Sequence, residues 1–460
     1  MDDLGLPSVF RVGEFAAWAV TAAHTQAAEF LAARNGTAVS AVSVGVREAS
    51  IAFRSERYLR VDGEAAFEWA PLSGDYEAAD GWVRLHCNFE HHAEAACRVL
   101  GVPQEREAVE AAVRGRGRFE LEDAIAEAGG AAGAMRTREE WLALGQSGAV
   151  AARPLVAMAP VAGGEVFAGF CGQTAAGGAG AVGGGVGEQR ASAAAYPNHA
   201  TLAGRLGPST RPLAGVRVLD LTRIIAGPNA GRVLAAYGAD VTMVRSPVLP
   251  TIRGLDLDLS FGKALRFLDL RSDAGRAAFL DLVRGADVVL QSYRPGALAA
   301  LGLGAQELAA VNPGLVHVSI SAYGAEGPWG GRRGFDSLVQ MVVGIAEEGR
   351  RAAEAERPVP LPAQVLDHAA GWLAAAGAVE ALNRGGGLAV DVSLAGVADA
   401  LDALGRRDPA VGLAVADPGL SDVEDLLLRT PSAAGLLTHV RFPGRVAGAE
   451  FGWSGPPPIV

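Results

Sequence analysis

PLAGVRVLDLTRIIAGPNAGRVLAAYGADV, residues 212–241, decides the fold. Its first run, VRVLDLT (216–222), is largely apolar on both faces, as a strand buried within a sheet must be. NAGRVLAAYG then carries the small and aliphatic spacing of a helix, and ADVTMVR (239–245) returns to strand. The alternation continues through ADVVLQSY (286–293) and LVHVSISAYG (315–324), with DAGRAAFLDLVRG and AQELAAVN as the intervening helices. Apolar strands separated by helices predict an α/β chain with a Rossmann-like parallel sheet, whose ligands bind outside the carboxyl ends of the strands. The first turn, TRIIAGPNAGR, lacks the G-x-G-x-x-G fingerprint, which argues against a nicotinamide or flavin enzyme.

Composition narrows the field. The 460 residues are 50% hydrophobic, ample for buried cores, and carry a net charge of -11. With a pI near 5.3 and no stripe of basic residues, composition argues against a nucleic-acid partner and small-molecule chemistry is expected. The opening MDDLGLPSVFRVGEF has acids where a signal peptide carries a basic region, and no segment is apolar enough to span a membrane, so a cytoplasmic location without membrane contact is expected. Three cysteines, Cys87, Cys97 and Cys171, do not make a disulfide framework. Among 40 Lys and Arg residues only one is lysine, Lys263, and a compact ammonium is suited to a phosphate.

Residues 162–210, rich in Gly, Ala and Ser, read as a flexible linker between an N-terminal part and a C-terminal part. Its GAVGGGVG neither follows a strand nor opens a helix, so it is no phosphate loop. Residues 14–53 share a pattern with 367–401: a small-residue helix with an early Trp, a glycine break, a V-x-V strand and a second helix. The first copy has no Asp between Leu4 and Val61, so only Glu14 comes near the place of Asp367.

Asp367 and His368 stand in PLPAQVLDHAAGWLAAAGAVEAL (360–382), where an apolar run broken by prolines meets an alanine-rich helix. Read alone, the carboxylate is a helix cap, favoured by the unpaired N–H groups and positive end of the first turn. The neighbouring motifs point elsewhere. PLAGVRVLDLTRIIAGPNAGRVLAAYGADV, FGKALRFLDLRSDAGR (261–276), ADVVLQSYRPGALAALGLG (286–304), NPGLVHVSISAYGAEGPWGGRRGFDSLVQ (312–340) and LPAQVLDHAAGW (361–372) occur in the order found in family III CoA-transferases, which the chain resembles. PLSGDYEAADGWVRLHCNFEHHAEAACRVLG (71–101) and REEWLALGQSGAVAARPL (138–155) resemble that family's small domain, which normally follows the nucleotide-binding part. The ending LTHVRFPGRVAGAEFGWSGPPPIV resembles the family's C-terminus.

The resemblance implies a large Rossmann-like CoA-binding domain with a smaller α+β domain in rearranged order, as in a tandem fusion that kept one working set of parts. The expected boundaries are 1–66 for a degenerate copy of the helix-strand segment, 67–161 for the small domain and 162–210 for the linker. Residues 211–405 would form the catalytic domain and 406–460 a returning segment. Such proteins form interlocked dimers, so the chain pairs its parts internally or by forming a homodimer. The resemblance also implies Asp367 as the nucleophile of a CoA transfer between an acyl-CoA and a carboxylic acid, through an aspartyl anhydride and an aspartyl-CoA. CoA is then a substrate, and no tightly bound cofactor or metal is expected. Lys263 and Arg333 match basic positions near the CoA phosphates, Ile224, Ile225 and Ala226 the loop touching CoA, and Ser292 with Tyr293 a pair beside the nucleotide. Ala300, where some members have arginine, and Arg245 with Ser246, in place of Glu-Arg, depart from the pattern.

Chemically, a carboxylate attacks a thioester only when held against its carbon, with N–H donors for the oxyanion, plausibly backbone amides near the glycine-containing helix start. An ordinary Asp is already ionised at neutral pH, so His368 need not serve as its base. A racemase of 2-methylacyl-CoA, the first rival, needs a second proton carrier, and the position used by such relatives is Phe335. The second rival is a CoA-binding protein without catalysis. The cluster His86, Cys87, His91, His92 and Cys97 lacks a C-x-x-C anchor and is read as a helix with solvated histidines, some of them at the site entrance.

Overall fold

The computed structural model describes residues 5–161, 163–169 and 202–458. Its spine is the expected parallel sheet. In spatial order, strands Lys263–Phe267, Asp240–Arg245, Arg217–Asp220, Val288–Gln291, Val316–Ser321 and Leu388–Ser393 run parallel. Val156–Pro160 and Phe167–Ala168 continue it antiparallel, completing eight strands. The order reverses between Arg217–Asp220 and Val288–Gln291, which opens a crevice at their carboxyl ends.

Three of these strands had no sequence signal, one of them Phe167–Ala168 inside the expected linker. Lys263–Phe267 is an edge strand with three of its five residues exposed, so it lacks the apolar run of its neighbours. Val156–Pro160 comes from the stretch expected to belong to the small domain, and pairs with Leu388–Ser393. The N-terminal counterpart of that last strand is only Val42–Ser43, paired with Arg445–Val446 outside the large sheet.

Beneath the sheet lie three helices rich in small residues: Val12–Asn35, Ala226–Ala236 and Val365–Asn383. Val365–Asn383 is buried from Val365 to Leu382 and apolar nearly all round, which marks a core helix. It packs so closely on Ala226–Ala236 that a Cβ at Gly371 would stand 2.5 Å from the Ala226 carbonyl oxygen. Only glycine fits there.

A second body is the three-stranded antiparallel sheet Gly74–Ala78, Gly81–Leu85 and Ala132–Ala134 with helices Glu90–Leu100, Arg106–Arg114 and Arg118–Glu127. It has its own core around Tyr76, Val83, Leu121 and Ile125. The hairpin Leu427–Ser432 and Gly435–Val440 is extended by Arg60–Val61 and Glu64–Ala65, tying the two chain ends together. Most of the expected linker, with GAVGGGVG and Cys171, lies outside the described residues, although Phe167–Ala168 and the helix Leu202–Leu206 show its two ends ordered. Among the described residues no helix is long and apolar enough to cross a membrane.

Candidate active site

Asp367 occupies the first turn of Val365–Asn383 and is 7% exposed. It is not the cap. The backbone N–H of Asp367 donates to Asp336 Oδ2 at 2.9 Å, and Asp336 also accepts from the Leu366 backbone and from Gln340. Asp336 thus caps the helix from a distance, and Gln340 holds the preceding proline run by accepting from the Leu361 N–H at 2.7 Å. The Asp367 carboxyl itself has no hydrogen-bond donor among the described residues, so capping does not explain it.

Burial, then the neighbouring charges of Asp336 and Glu56, push the Asp367 pKa well above the usual carboxylate range. Asp336 is raised as well, chiefly by burial, against the hydrogen bonds it accepts. Asp367 is therefore less readily ionised than the ordinary aspartate the sequence led one to expect. Glu56 differs, because although burial opposes its charge, the hydrogen bond and charge of His368 keep its pKa below the usual value.

His368 faces that partner. Its Nε2 lies 3.0 Å from Glu56 Oε2, its ring stacks on Phe53, and it is fully buried. It lines neither cavity at Asp367, which removes it as a proton carrier to a ligand there.

Those two cavities meet at Asp367. The wider, about 380 Å³, opens along the carboxyl ends of the strands and is lined by Arg223, Arg271, Arg294, Arg332 and Arg333 together with Ser292 and Tyr293. The narrower, about 290 Å³, is walled by Phe67, Trp69, Ile252 and Leu255, with Glu56, Arg57 and His86 among its polar residues. Ile224, Ile225, Phe335 and Asp367 line both. Ile224 has φ 75°, a left-handed conformation costly for a β-branched residue, and the tight loop before helix Ala226–Ala236 imposes it. Ala226 and Gly227 begin that helix at the wider cavity, where N–H groups of a first turn lack intrahelical partners. A third cavity, about 350 Å³, shares Tyr293 and Arg294 with the wide one but does not reach Asp367.

Of the residues expected from sequence, Asp367, Ile224, Ile225, Ala226, Ser292, Tyr293 and Arg333 converge on the wide cavity. Lys263 does not. Its ammonium is fully buried, 2.7 Å from Asp220 Oδ2 and 2.8 Å from the Pro228 carbonyl oxygen. Gly231 leaves the room, since a Cβ there would stand 2.9 Å from Nζ. The basic residue of that motif that does reach the cleft is Arg271, eight positions on in FGKALRFLDLR. Sequence reading also missed Asp336, within the quoted GFD, and Glu56 and Arg57, in the segment taken as a degenerate copy.

The histidine cluster divides. Cys87 and Cys97 belong to the small body's core, and His91 and His92 line the wide cavity. His86 stacks on Phe335 with ring centroids 3.6 Å apart. Burial, with His92 nearby, lowers its pKa to about 3. Among the described residues no group of His, Cys, Asp or Glu is arranged to hold a metal.

The geometry defines a class first: an α/β protein with two cavities at the carboxyl ends of its parallel strands, joined at one carboxyl group. The sequence profile of CoA-transferase family III matches residues 13–168 and 213–403, more than half of the chain, and the chain belongs to that family. It is 36% identical over 216 residues to a probable fatty acyl-CoA transferase, Rv3272, of Mycobacterium tuberculosis, covering 44% of this chain and 52% of the relative. It is also 36% identical over 200 residues to a succinyl-CoA–D-citramalate CoA-transferase of Chloroflexus aurantiacus, covering 40% and 49%. A match to an acetyl-coenzyme A transferase of Hypoxylon pulicicidum, 36% identical, covers 44% of this chain and 35% of that one. The chain thus spans about half or less of the curated relatives it matches. A crystal structure of a mutant of Rv3272 from Mycobacterium tuberculosis aligns with TM-score 0.46 at 25% identity, over 54% of this chain and 96% of that one.

Proposed function

We propose that the protein transfers CoA from an acyl-CoA to a carboxylic acid, with Asp367 as the covalent carrier. The observation that carries the reading is that Asp367 is, among the described residues, the one nucleophilic side chain lining both cavities. The arginine-lined cavity suits the phosphates and pantetheine arm of CoA, and the narrower one suits the acyl group.

The steps balance without an outside reagent. Ionised Asp367 attacks the thioester carbon, the C–S bond breaks, and CoA leaves as thiolate, giving a mixed anhydride. The thiolate attacks the Asp367 carbonyl, releasing the donor as a carboxylate and leaving aspartyl-CoA. The acceptor carboxylate then displaces the thiolate to form a second anhydride. Attack of the thiolate on the acceptor's carbonyl yields the new acyl-CoA and restores the Asp367 carboxylate. Each addition puts charge on an oxygen near the first turn of Ala226–Ala236, whose free N–H groups are suited to stabilise it.

Lys263 acts structurally in this scheme, fixing that helix through Pro228, while Arg271 and Arg333 serve the phosphates. The chain is best read as the rearranged tandem fusion, supported by its two separate family-matching segments and by Glu56, Arg57, His86 and Asp367 lining one cavity within a single chain. Such a chain completes its site without borrowing residues from a second copy, and works on soluble CoA esters in the cytoplasm.

The test is to incubate the protein with acyl-CoA and hydroxylamine and locate adducts by mass spectrometry. A hydroxamate on Asp367 is expected. Absence of any adduct with a broad thioester panel would favour the CoA-binding protein. Loss of α-deuterium without CoA exchange would indicate the racemase, which Phe335 disfavours because a phenyl ring cannot carry a proton at the position such relatives use.

A further inference from the structure

The narrow chamber is an unwelcoming place for the free acids that the transfer releases and takes up. Phe67, Trp69, Ile252 and Leu255 give it apolar walls, and Glu56, whose charge His368 supports, adds a carboxylate to it. Arg57 lines it as well, but that guanidinium is exposed and already acts on the Glu56 charge. A carboxylate brought against Asp367 therefore needs a directed hydrogen-bond donor.

Asn88 is such a donor, and its neighbours fix which way it points. Its Oδ1 accepts from the Ala70 N–H at 3.2 Å and from the Ser73 hydroxyl at 2.6 Å. An amide turned over would set its NH2 against the Ala70 N–H, donor against donor. Ser73 Oγ in turn accepts from the Cys87 N–H at 2.8 Å, which leaves the hydroxyl proton for Asn88. The oxygen end is thus spent on the turn Ala70–Ser73, which follows the wall residue Trp69 and is closed by the Ser73 N–H donating to the Ala70 carbonyl at 2.9 Å. The Nδ2 end has no partner among the described residues, and Asn88 lines the chamber with Asp367. Gln364, just ahead of the helix of Asp367, also lines it with an unbonded amide, but nothing fixes which end of that amide faces inward.

We infer that Asn88 holds the free carboxylate: its Nδ2 donates to an oxygen of the donor acid as that acid leaves Asp367, and of the acceptor acid as it attacks. This rests on the transferase reading above. The role falls on those two steps because the oxygen then carries charge, and a hydrogen bond to a charged oxygen is worth more than one to a thioester carbonyl. Asn88 belongs to the small body, between Gly81–Leu85 and Glu90–Leu100, whereas Asp367 belongs to the large one, so the acid is held between the two.

The decisive variant is Asn88→Asp. It keeps an oxygen for Ala70 and Ser73, so the wall stays in place, and it replaces the free NH2 by an acceptor that repels a carboxylate. With the full chain, butyryl-CoA as donor and isotopically labelled butyrate as acceptor, exchange of label into the thioester gives a KM for each substrate. Asn88→Asp should raise the KM for butyrate roughly tenfold or more, leave that for butyryl-CoA nearly unchanged, and still yield the Asp367 hydroxamate from butyryl-CoA and hydroxylamine. Its unfolding midpoint should be native. Asn88→Leu should lose the same acid binding and also melt lower, because Ala70 and Ser73 lose their acceptor. Native KM values in Asn88→Asp would assign Asn88 to the turn alone and overturn the inference, as would an equal rise in both. A native protein that forms the adduct but exchanges no label overturns it too, and leaves the transferase standing. Neither adduct nor exchange overturns both.

Discussion

Asp220 and Asp367 are both buried aspartates of the large sheet and its helices, and their surroundings are opposite. Asp220 is ion-paired at 2.7 Å with Lys263 and also accepts from the Thr222 N–H at 2.9 Å. Asp367 has two acids for neighbours and no donor among the described residues. A compensated buried charge stabilises a fold only weakly and locks geometry, whereas an uncompensated one costs stability and persists where function needs it. The first pair fixes the helix that follows the loop Ile224–Ala226; the second group lines one cavity together with that loop.

The largest effect follows from removing the uncompensated group. Asp367→Asn should reduce transfer roughly a thousandfold or more and abolish the trapped adduct, while CoA still binds by calorimetry. Its stability should move the other way. A carboxyl with a raised folded pKa contributes its stability at pH below the unfolded value and loses it as pH rises through the folded value. An uncharged Asn escapes that loss, so the variant should melt higher than the native protein at neutral pH. A variant that is inactive and less stable would place Asp367 with Asp220, as a structural acid.

Lys263→Met is the converse. It strands Asp220 in the core and should cost about 3–5 kcal/mol in urea unfolding. Double replacement with Asp220→Leu should recover most of that. If instead CoA affinity falls with the unfolding midpoint unchanged, Lys263 meets phosphate after all and the contrast fails.

Next comes the cleft. Arg271→Ala should weaken CoA about tenfold, since Arg271 is exposed with no partner for its side chain among the described residues, and the loss should shrink at high salt. Arg333 already donates to the Gly129 carbonyl, so its replacement should weaken CoA less.

The same contrast explains what the sequence could reveal. The strands VRVLDLT and LVHVSISAYG, buried on both faces, were legible because burial writes a continuous apolar run. Lys263–Phe267, at the edge, wrote none. Asp367 and the Ile224–Ala226 loop were legible through motifs that hold their residues contiguously. Glu56 and Arg57 were not, because they reach Asp367 only through tertiary packing of a segment more than 300 positions away. Lys263 lies buried against Asp220 and Pro228 rather than lining the wide cavity, and nothing in a sequence tells whether an ammonium points into a cleft or under a helix.

The smallest effect is the sharpest test of how Asp367 is poised. Transfer needs the ionised carboxylate, so the native kcat/KM should fall as pH drops through a value above the ordinary aspartate range, the apparent value of the Asp367 and Asp336 pair. Glu56 contributes by placing a negative charge nearby, itself kept ionised by His368. Glu56→Gln removes that charge yet keeps an oxygen able to accept from His368 Nε2, so the pair should stay in place. The acid limb should then move toward lower pH, leaving the plateau rate nearly unchanged. Burial is the larger cause of the raised pKa and remains, so the shift should be modest and should not restore ordinary aspartate behaviour. An acid limb that does not move would mean burial and Asp336 alone hold the proton, and Glu56 would be left with anchoring His368 as its only task.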